Sequence, residues 1–111
     1  MAKVLAVLEQ RDGALRKVSH EVVAAARRLA DGTGGTVDAL VLGAGAVAGV
    51  EALAGSGADR VLTGTHPKFG LYCPDGYAAT VASIGGDYAA IVFAATAQGR
   101  DLAPRAAARL G

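Results

Sequence analysis

Residues 3–8 (KVLAVL) form a short run that is apolar at almost every position. A strand with one face in water alternates apolar and polar residues, whereas a strand buried on both faces loses that alternation. Such a strand needs a layer of structure packed against each of its two faces. The run therefore predicts a strand inside a sheet that is covered on both sides.

Three further apolar runs follow, at residues 36–42, 60–63 and 88–95. Predicted helices alternate with these runs. The first begins at Ser19 as N-cap and ends at about residue 31, and the third begins at Pro74 and ends at about residue 84. The second covers about residues 46–55 and the fourth about residues 100–110. The connections are short. Alternating strands and helices predict an α/β sandwich with a mostly parallel sheet.

The pair Asp12-Gly13 is a favoured sequence for a tight β-turn. Residues 14–18 (ALRKV) are therefore predicted as a short strand that returns against the first strand. Ser19, directly after this strand, would then begin the first helix.

Composition excludes several functional classes. The chain has 111 residues, which is one domain or a piece of one. Its net charge is +1 with no basic stripe, so we expect no nucleic-acid partner. No apolar run approaches about 20 residues, so we expect no membrane insertion. The single cysteine, Cys73, excludes an internal disulfide and suits a reducing, cytoplasmic location.

A glycine-rich turn, Gly43-x-Gly45-x-x-x-Gly49, follows a predicted strand and precedes a predicted helix. This is the setting in which backbone N–H groups bind phosphate. The spacing differs from the dinucleotide fingerprint, and the nearby acid, Asp59, precedes its strand instead of following it. An autonomous nucleotide-binding α/β module therefore stays an alternative hypothesis for the chain.

Candidate catalytic and metal-binding side chains are few. His20, His66 and Cys73 are the only imidazoles and the only thiol, and they lack the spacing of a zinc site. A small hydrolase based on Cys73 or His66 would still need a third catalytic partner. We therefore expect no metal site and no catalytic residues.

A polar joint connects the last predicted strand to the last helix. Its residues are Thr96, Gln98, Gly99, Arg100 and Asp101. In a parallel sheet this joint lies at the carboxyl edge, where α/β proteins place ligands, and the first N–H groups of a helix can face an anion. The same side chains could equally tie neighbouring loops together, and both interpretations stay open.

Residues 94–111 (AATAQGRDLAPRAAARLG) resemble a motif of the α subunit of electron transfer flavoproteins, in which a strand ends in a small-Thr turn and a Gly-Arg-Asp-Leu-x-Pro-Arg helix follows. Further landmarks agree in order: the strand at residues 4–9, Asp12-Gly13, Val18-Ser19 before a helix, residues 57–61 (GADRV) and the helix start at residues 74–77. The resemblance covers the whole chain.

The resemblance implies a Rossmann-like three-layer sandwich of the adenine-nucleotide α-hydrolase-like type. It also implies a heterodimer with a β subunit, which carries electrons from flavin dehydrogenases, such as those that oxidise acyl-CoA in fatty acid β-oxidation, to a quinone reductase or another acceptor. In the family, FAD is held mainly by the α subunit's carboxyl-terminal domain and AMP by the β subunit.

The amino-terminal domain of the α subunit acts in the family as a scaffold that packs against β. Residues 1–111 would then be a partial amino-terminal α/β domain, because further strands and the FAD domain follow this motif in the family. We expect an electron-carrier fragment that is not an enzyme and holds no cofactor of its own.

Overall fold

The computed structural model describes residues 2–111, which form a main sheet with helices on both faces and a small separate hairpin. The strands are β1 (Lys3–Val7), β2 (Gln10–Arg11), β3 (Ala14–Leu15), β4 (Thr36–Gly43), β5 (Arg60–Thr65) and β6 (Ala90–Val92). The α-helices are α1 (Val18–Asp31), α2 (Pro74–Gly85) and α3 (Ala97–Leu110). Two 3-10 helices lie at Val50–Ser56 and Pro67–Gly70.

Four strands form a sheet in the order β5-β4-β1-β6, and every neighbouring pair is parallel. β1 is central, with Val4 opposite Val37 of β4 on one side and Ala90 of β6 on the other. The predicted α/β fold with a parallel sheet is therefore confirmed. The predicted burial of β1 is confirmed as well, since its last four residues are buried.

Alternate residues of β1 enter two separate cores. Val4 and Ala6 pack with apolar residues of α1, including Val23. Leu5 and Val7 pack with residues of α2 and α3 on the opposite face. The molecule therefore has three layers, with α1 on one face of the sheet and α2 and α3 on the other.

The hairpin differs from its prediction. Only Ala14–Leu15 is extended, and it pairs with Gln10–Arg11 in a separate two-stranded sheet instead of with β1. Asp12 has a positive φ of 54° and Gly13 one of 77°, which is the geometry of a tight turn between two strands. α1 follows after only two residues, so the predicted strand over residues 14–18 is too long.

Ser19 is not the N-cap of α1. The helix begins at Val18 with Lys17 as its N-cap, and no side chain caps it. The Ser19 side chain is instead buried inside the helix start, where its hydroxyl bonds the backbone of Glu9. A competing tertiary hydrogen bond overrides the local capping preference.

Several other elements also differ from their predicted bounds. The predicted helix over residues 46–55 is a 3-10 helix, Val50–Ser56, that starts after Gly49 at a φ of 96°. The last strand is three residues long instead of eight, and β5 continues to Thr65. α2 begins at Pro74 as predicted, whereas α3 begins earlier than predicted, at Ala97.

Within residues 2–111, no helix has the length and apolar character needed to cross a membrane.

Candidate functional site

The carboxyl ends of β1 and β6 bring Glu9 next to Thr96. The two strands are parallel neighbours, so the residues that follow them meet at one edge of the sheet. Thr96 Oγ1 donates a hydrogen bond of 2.6 Å to Glu9 Oε2. The first residue of the predicted polar joint thus binds a carboxylate of the same chain.

Glu9 is buried, with 3% of its side chain exposed, and both of its carboxylate oxygens have partners. Arg16 Nη1 lies 2.6 Å from Glu9 Oε1. The backbone N–H of Glu9 donates to Ser19 Oγ, and the Ser19 hydroxyl donates to the Glu9 carbonyl. A charge buried this deeply requires such pairing. We call Glu9, Arg16, Ser19 and Thr96 the Glu9 network.

Thr96 is also the N-cap of α3. Its backbone is extended, and its Oγ1 accepts a hydrogen bond of 3.0 Å from the Gly99 N–H. This single hydroxyl therefore satisfies one of the unpartnered N–H groups at the helix start and fixes the helix to Glu9. Gly99 is buried, and a Cβ there would collide with the Ala94 carbonyl oxygen.

Asp101 forms a second set of internal bonds. Its Oδ2 accepts from the Tyr72 hydroxyl at 2.7 Å and from Arg105 Nε at 2.9 Å. The Tyr72 hydrogen bond, together with that from Arg105, lowers the pKa of Asp101 below its ordinary 3.8. Burial, aided by the carboxylate, raises the pKa of the Tyr72 phenol. Asp101 therefore holds the loop before α2 against α3.

The structure thus engages three of the five predicted residues in internal contacts: Thr96, Gly99 and Asp101. Gln98 is half-buried and Arg100 is exposed. Among residues 2–111, no side-chain hydrogen bond involves either of these two. The interpretation of the joint as a tie between neighbouring loops fits Thr96 and Asp101. Anion binding at the joint stays a prediction, and the two residues that could still serve it are Gln98 and Arg100.

The glycine-rich turn does not lead into an α-helix. Gly43 packs against Val47, whose Cγ2 lies 2.9 Å from where a Gly43 Cβ would be. The Ala48 N–H donates to the Gly13 carbonyl, and the Ala48 carbonyl accepts from the Leu15 N–H. The loop therefore binds the β2–β3 hairpin, and the predicted helix whose N–H groups would have faced a phosphate is absent from residues 46–49.

The histidines and the cysteine are dispersed. His66 Nδ1 accepts from the Lys68 N–H, and His20 Nδ1 bonds Ser56 Oγ at 3.0 Å. Cys73 is half-buried at the N-cap of α2. In the part of the chain that the structure describes, no group of three or more potential metal ligands is found.

A second charged cluster lies at the opposite, amino edge of the sheet. Asp38 of β4 is buried and bonds Arg60 through both oxygens, at 3.1 and 2.7 Å, and the Tyr88 hydroxyl at 2.7 Å. The Arg60 hydrogen bond is the main cause that lowers the Asp38 pKa. Burial, and then the Asp38 hydrogen bond, raise the pKa of Tyr88 to about 12. The Lys3 ammonium stands 5.1 Å from the Tyr88 ring centroid.

Sequence reasoning did not single out Glu9, Arg16 or Tyr72 as members of the carboxyl edge. One signal was available for Glu9: it is an acid within two residues of the end of a parallel strand, where functional side chains gather. The Asp12-Gly13 turn offered a signal for Arg16, because a two-residue turn there places residue 16 opposite residue 9. No signal in the sequence ties Tyr72 to Asp101, since that contact depends on the tertiary fold.

Comparison with known proteins gives a consistent result. The family model described as "Electron transfer flavoprotein domain" matches residues 4–111. Protein FixB of Clostridium saccharobutylicum is 42% identical over 92% of this chain, which is 31% of that relative. The electron transfer flavoprotein subunit alpha of Bacillus subtilis is 36% identical over 97% of this chain and 33% of its own length.

A third relative, the acryloyl-CoA reductase electron transfer subunit beta of Anaerotignum propionicum, is 36% identical over 92% of this chain and 28% of its own length. The chain therefore spans about a third of the length of the relatives that it matches. With a family match over residues 4–111 on a parallel α/β sandwich, the chain belongs to the electron transfer flavoprotein family, and its relatives include α subunits.

Proposed function

We propose that this chain is the amino-terminal scaffold of an electron transfer flavoprotein α subunit, and that it packs against a β subunit. The observation that carries the proposal is the family match over residues 4–111. This range includes every helix and strand of the fold, apart from Lys3 at the start of β1. The relatives' names describe electron transfer proteins and subunits. A subunit needs a partner, and the scaffold role is the one that the resemblance implies for this segment.

The complete protein would carry electrons from flavin dehydrogenases to a quinone reductase or another acceptor. FAD would be held mainly outside this segment, and AMP by the β subunit. The subunit would be an electron carrier without catalytic residues, and we place it in the cytoplasm.

Residues 2–111 do not fit a dinucleotide site of the glycine-fingerprint type. A dinucleotide pyrophosphate binds where a glycine-rich turn opens an α-helix, with an acid at the end of the next strand for the ribose. Here the glycine turn leads to a seven-residue 3-10 helix, and β5 ends in Gly64 and Thr65. The polar joint is likewise engaged internally through Thr96 and Asp101. These facts support a scaffold role for residues 2–111.

Co-expression with the β subunit encoded in the same genome tests the proposal. The tagged full chain, as its gene encodes it, is expected to elute with the β subunit as a complex of one copy each, measured by size-exclusion chromatography with light scattering. The tag alone serves as the control. Recovery of the chain without the β subunit would contradict the proposal, provided that the protein concentration is well above the dissociation constant of a stable subunit contact.

A further inference from the structure

A cavity of about 430 Å³ opens between the β2–β3 hairpin and the start of α3. It lies beside the Glu9 network at the carboxyl edge of the sheet. The residues that line it are Arg11, Arg16, Tyr72, Thr96, Ala97 and Gln98. Its volume falls within the range of small-molecule sites, about 300–1,000 Å³.

Two guanidinium groups line this cavity, and most of their donors are unused by the protein. Each guanidinium carries five N–H donors. Arg16 uses one of its terminal nitrogens for Glu9 and remains 33% exposed. Arg11 is exposed, and its side chain forms no ion pair with any residue of the described range 2–111. The cavity therefore presents a surplus of cationic donors.

The acceptors nearby are already occupied. Both oxygens of Glu9 have partners, Arg16 and Thr96. The Tyr72 hydroxyl donates its proton to Asp101, whose charge is balanced by Arg105. With Glu9 offset by Arg16, the charge of Arg11 is left in excess on the cavity wall. Asp12, its neighbour in sequence, lines a different cavity, which includes Gln10 and Gly13.

Gln98 adds a neutral donor to the lining of the cavity. It is half-buried, and its amide is not engaged by another side chain in the described part of the protein. An amide N–H₂ group in the same cavity as two guanidiniums complements a ligand group that accepts several hydrogen bonds. Arginine is the side chain best suited to bind phosphate or carboxylate, because its planar fork donates two parallel hydrogen bonds.

We propose that this cavity binds an oxoanion, the phosphate or carboxylate group of a small molecule, between the guanidiniums of Arg11 and Arg16 and the side-chain amide of Gln98. The site goes beyond the scaffold role, which assigns no ligand to this segment. It also differs from the glycine-rich turn, because no glycine of residues 43–49 lines it.

Titration by NMR tests the site directly. The full chain is titrated with inorganic phosphate, and separately with acetate, with chloride adjusted to hold ionic strength constant. The signals followed are the Nε–Hε resonances of Arg11 and Arg16 and the side-chain amide of Gln98. Saturable shifts of all three signals are expected. Saturation by phosphate alone identifies a phosphate ligand, by acetate alone a carboxylate ligand, and by both the shared oxoanion chemistry.

Arg11→Gln is the informative variant, since Arg11 is exposed and its loss leaves the Glu9 network intact. We expect it to weaken the apparent affinity by about fivefold or more, because a charge-assisted bond is lost. Arg16 is unsuitable, because removing it leaves the buried Glu9 carboxylate with one partner. Arg28→Gln is the matched control: Arg28 is exposed in the last turn of α1, where its neighbour Arg27 bonds Asp59 at the other edge of the sheet.

Absence of saturable shifts with both anions overturns the proposal. An equal loss of affinity in Arg11→Gln and Arg28→Gln also overturns it, since the binding would then follow net charge and not this cavity. Neither result bears on the β-subunit contact, which is measured by co-elution and needs no anion.

Discussion

The hydroxyl of Thr96 donates a 2.6 Å hydrogen bond to the buried carboxylate of Glu9, which lies 87 positions earlier in the chain. The same oxygen accepts the N–H of Gly99 at the start of α3. One side chain thus links the central strand, the edge strand and the last helix.

Replacing Thr96 by alanine removes both bonds. The loss of an N-cap costs about 1 kcal/mol, and the loss of a hydrogen bond to a charged group costs about 1.5–3 kcal/mol. We expect a free energy of unfolding lower by about 2–4 kcal/mol, measured by urea denaturation. Thr96→Ser retains the hydroxyl and is expected to lose less than about 1 kcal/mol. Equal losses in the two variants would show that the hydroxyl is not the stabilising group.

Gly99→Ala tests the close approach of α3 to residue 94. The added Cβ would collide with the Ala94 carbonyl oxygen, so the backbone must move. Overpacking of this kind costs about 1–3 kcal/mol or more. Gly86→Ala is the control, because beyond the adjoining backbone no heavy atom lies within 4 Å of its added Cβ, and its φ is −63°. We expect the control to be neutral or slightly stabilising in thermal unfolding, and a neutral Gly99→Ala would refute the collision.

Acid stability depends in part on Asp38. Its pKa is lowered from 3.8, chiefly by the Arg60 hydrogen bond, so the folded state holds the ionised form more strongly than the unfolded state does. This contribution is complete above pH 3.8 and is lost as pH falls through the lower, folded pKa.

Asp38→Asn is therefore expected to flatten the rise of unfolding free energy with pH in that acid window. The rise does not vanish, because the pKa values of Asp59 and Asp101 are lowered as well. The comparison requires urea denaturation at several acid pH values. If the slope of unfolding free energy against pH is the same in the variant, the ionisation of Asp38 does not contribute to acid stability.

All three tyrosines are expected to be less ionised at pH 10.0 in the folded protein than in the unfolded chain. Burial is the main cause that raises the pKa of Tyr72, Tyr77 and Tyr88 above 10.0, with Tyr88 at about 12. The stabilisation linked to these protons is complete below pH 10.0 and is lost as pH rises through the folded values.

The near-ultraviolet absorbance of tyrosinate measures this effect. At pH 10.0 the unfolded chain in urea should show about half-ionised tyrosine, and the folded chain less. Tyr88→Phe should remove the component that titrates at about pH 12. Equal absorbance of the folded and unfolded chains at pH 10.0 would contradict the burial of the phenols.

The fold was predictable from the sequence because its determinants are local. The backbone conformation of β1 follows from its uninterrupted apolar run, and that of the start of α2 follows from Pro74. In both cases a few neighbouring residues determine the conformation. The predictions that failed involve competition from distant residues. Ser19 has an N-cap side chain, yet it bonds Glu9 ten positions away. Residues 46–49 have a helical pattern, yet Ala48 pairs with the hairpin.

The same distinction applies to the carboxyl edge. The position of Thr96 after a parallel strand was enough to predict that it lies at this edge. Its partner was not predictable, because the contact depends on which strand neighbours β6. Arg11 and Gln98 are 87 residues apart, so their shared cavity follows only from the tertiary fold.

The central place of β1 has a consequence during synthesis. Its first neighbour, β4, is complete once residue 43 has been made, whereas its second, β6, must wait until residue 92. At about 5–20 residues per second, translation of the intervening segment takes roughly 2–10 seconds. During that interval one edge of β1 has no neighbouring strand. The nascent polypeptide is therefore most exposed to mispairing at β1 while residues 44–92 are being made.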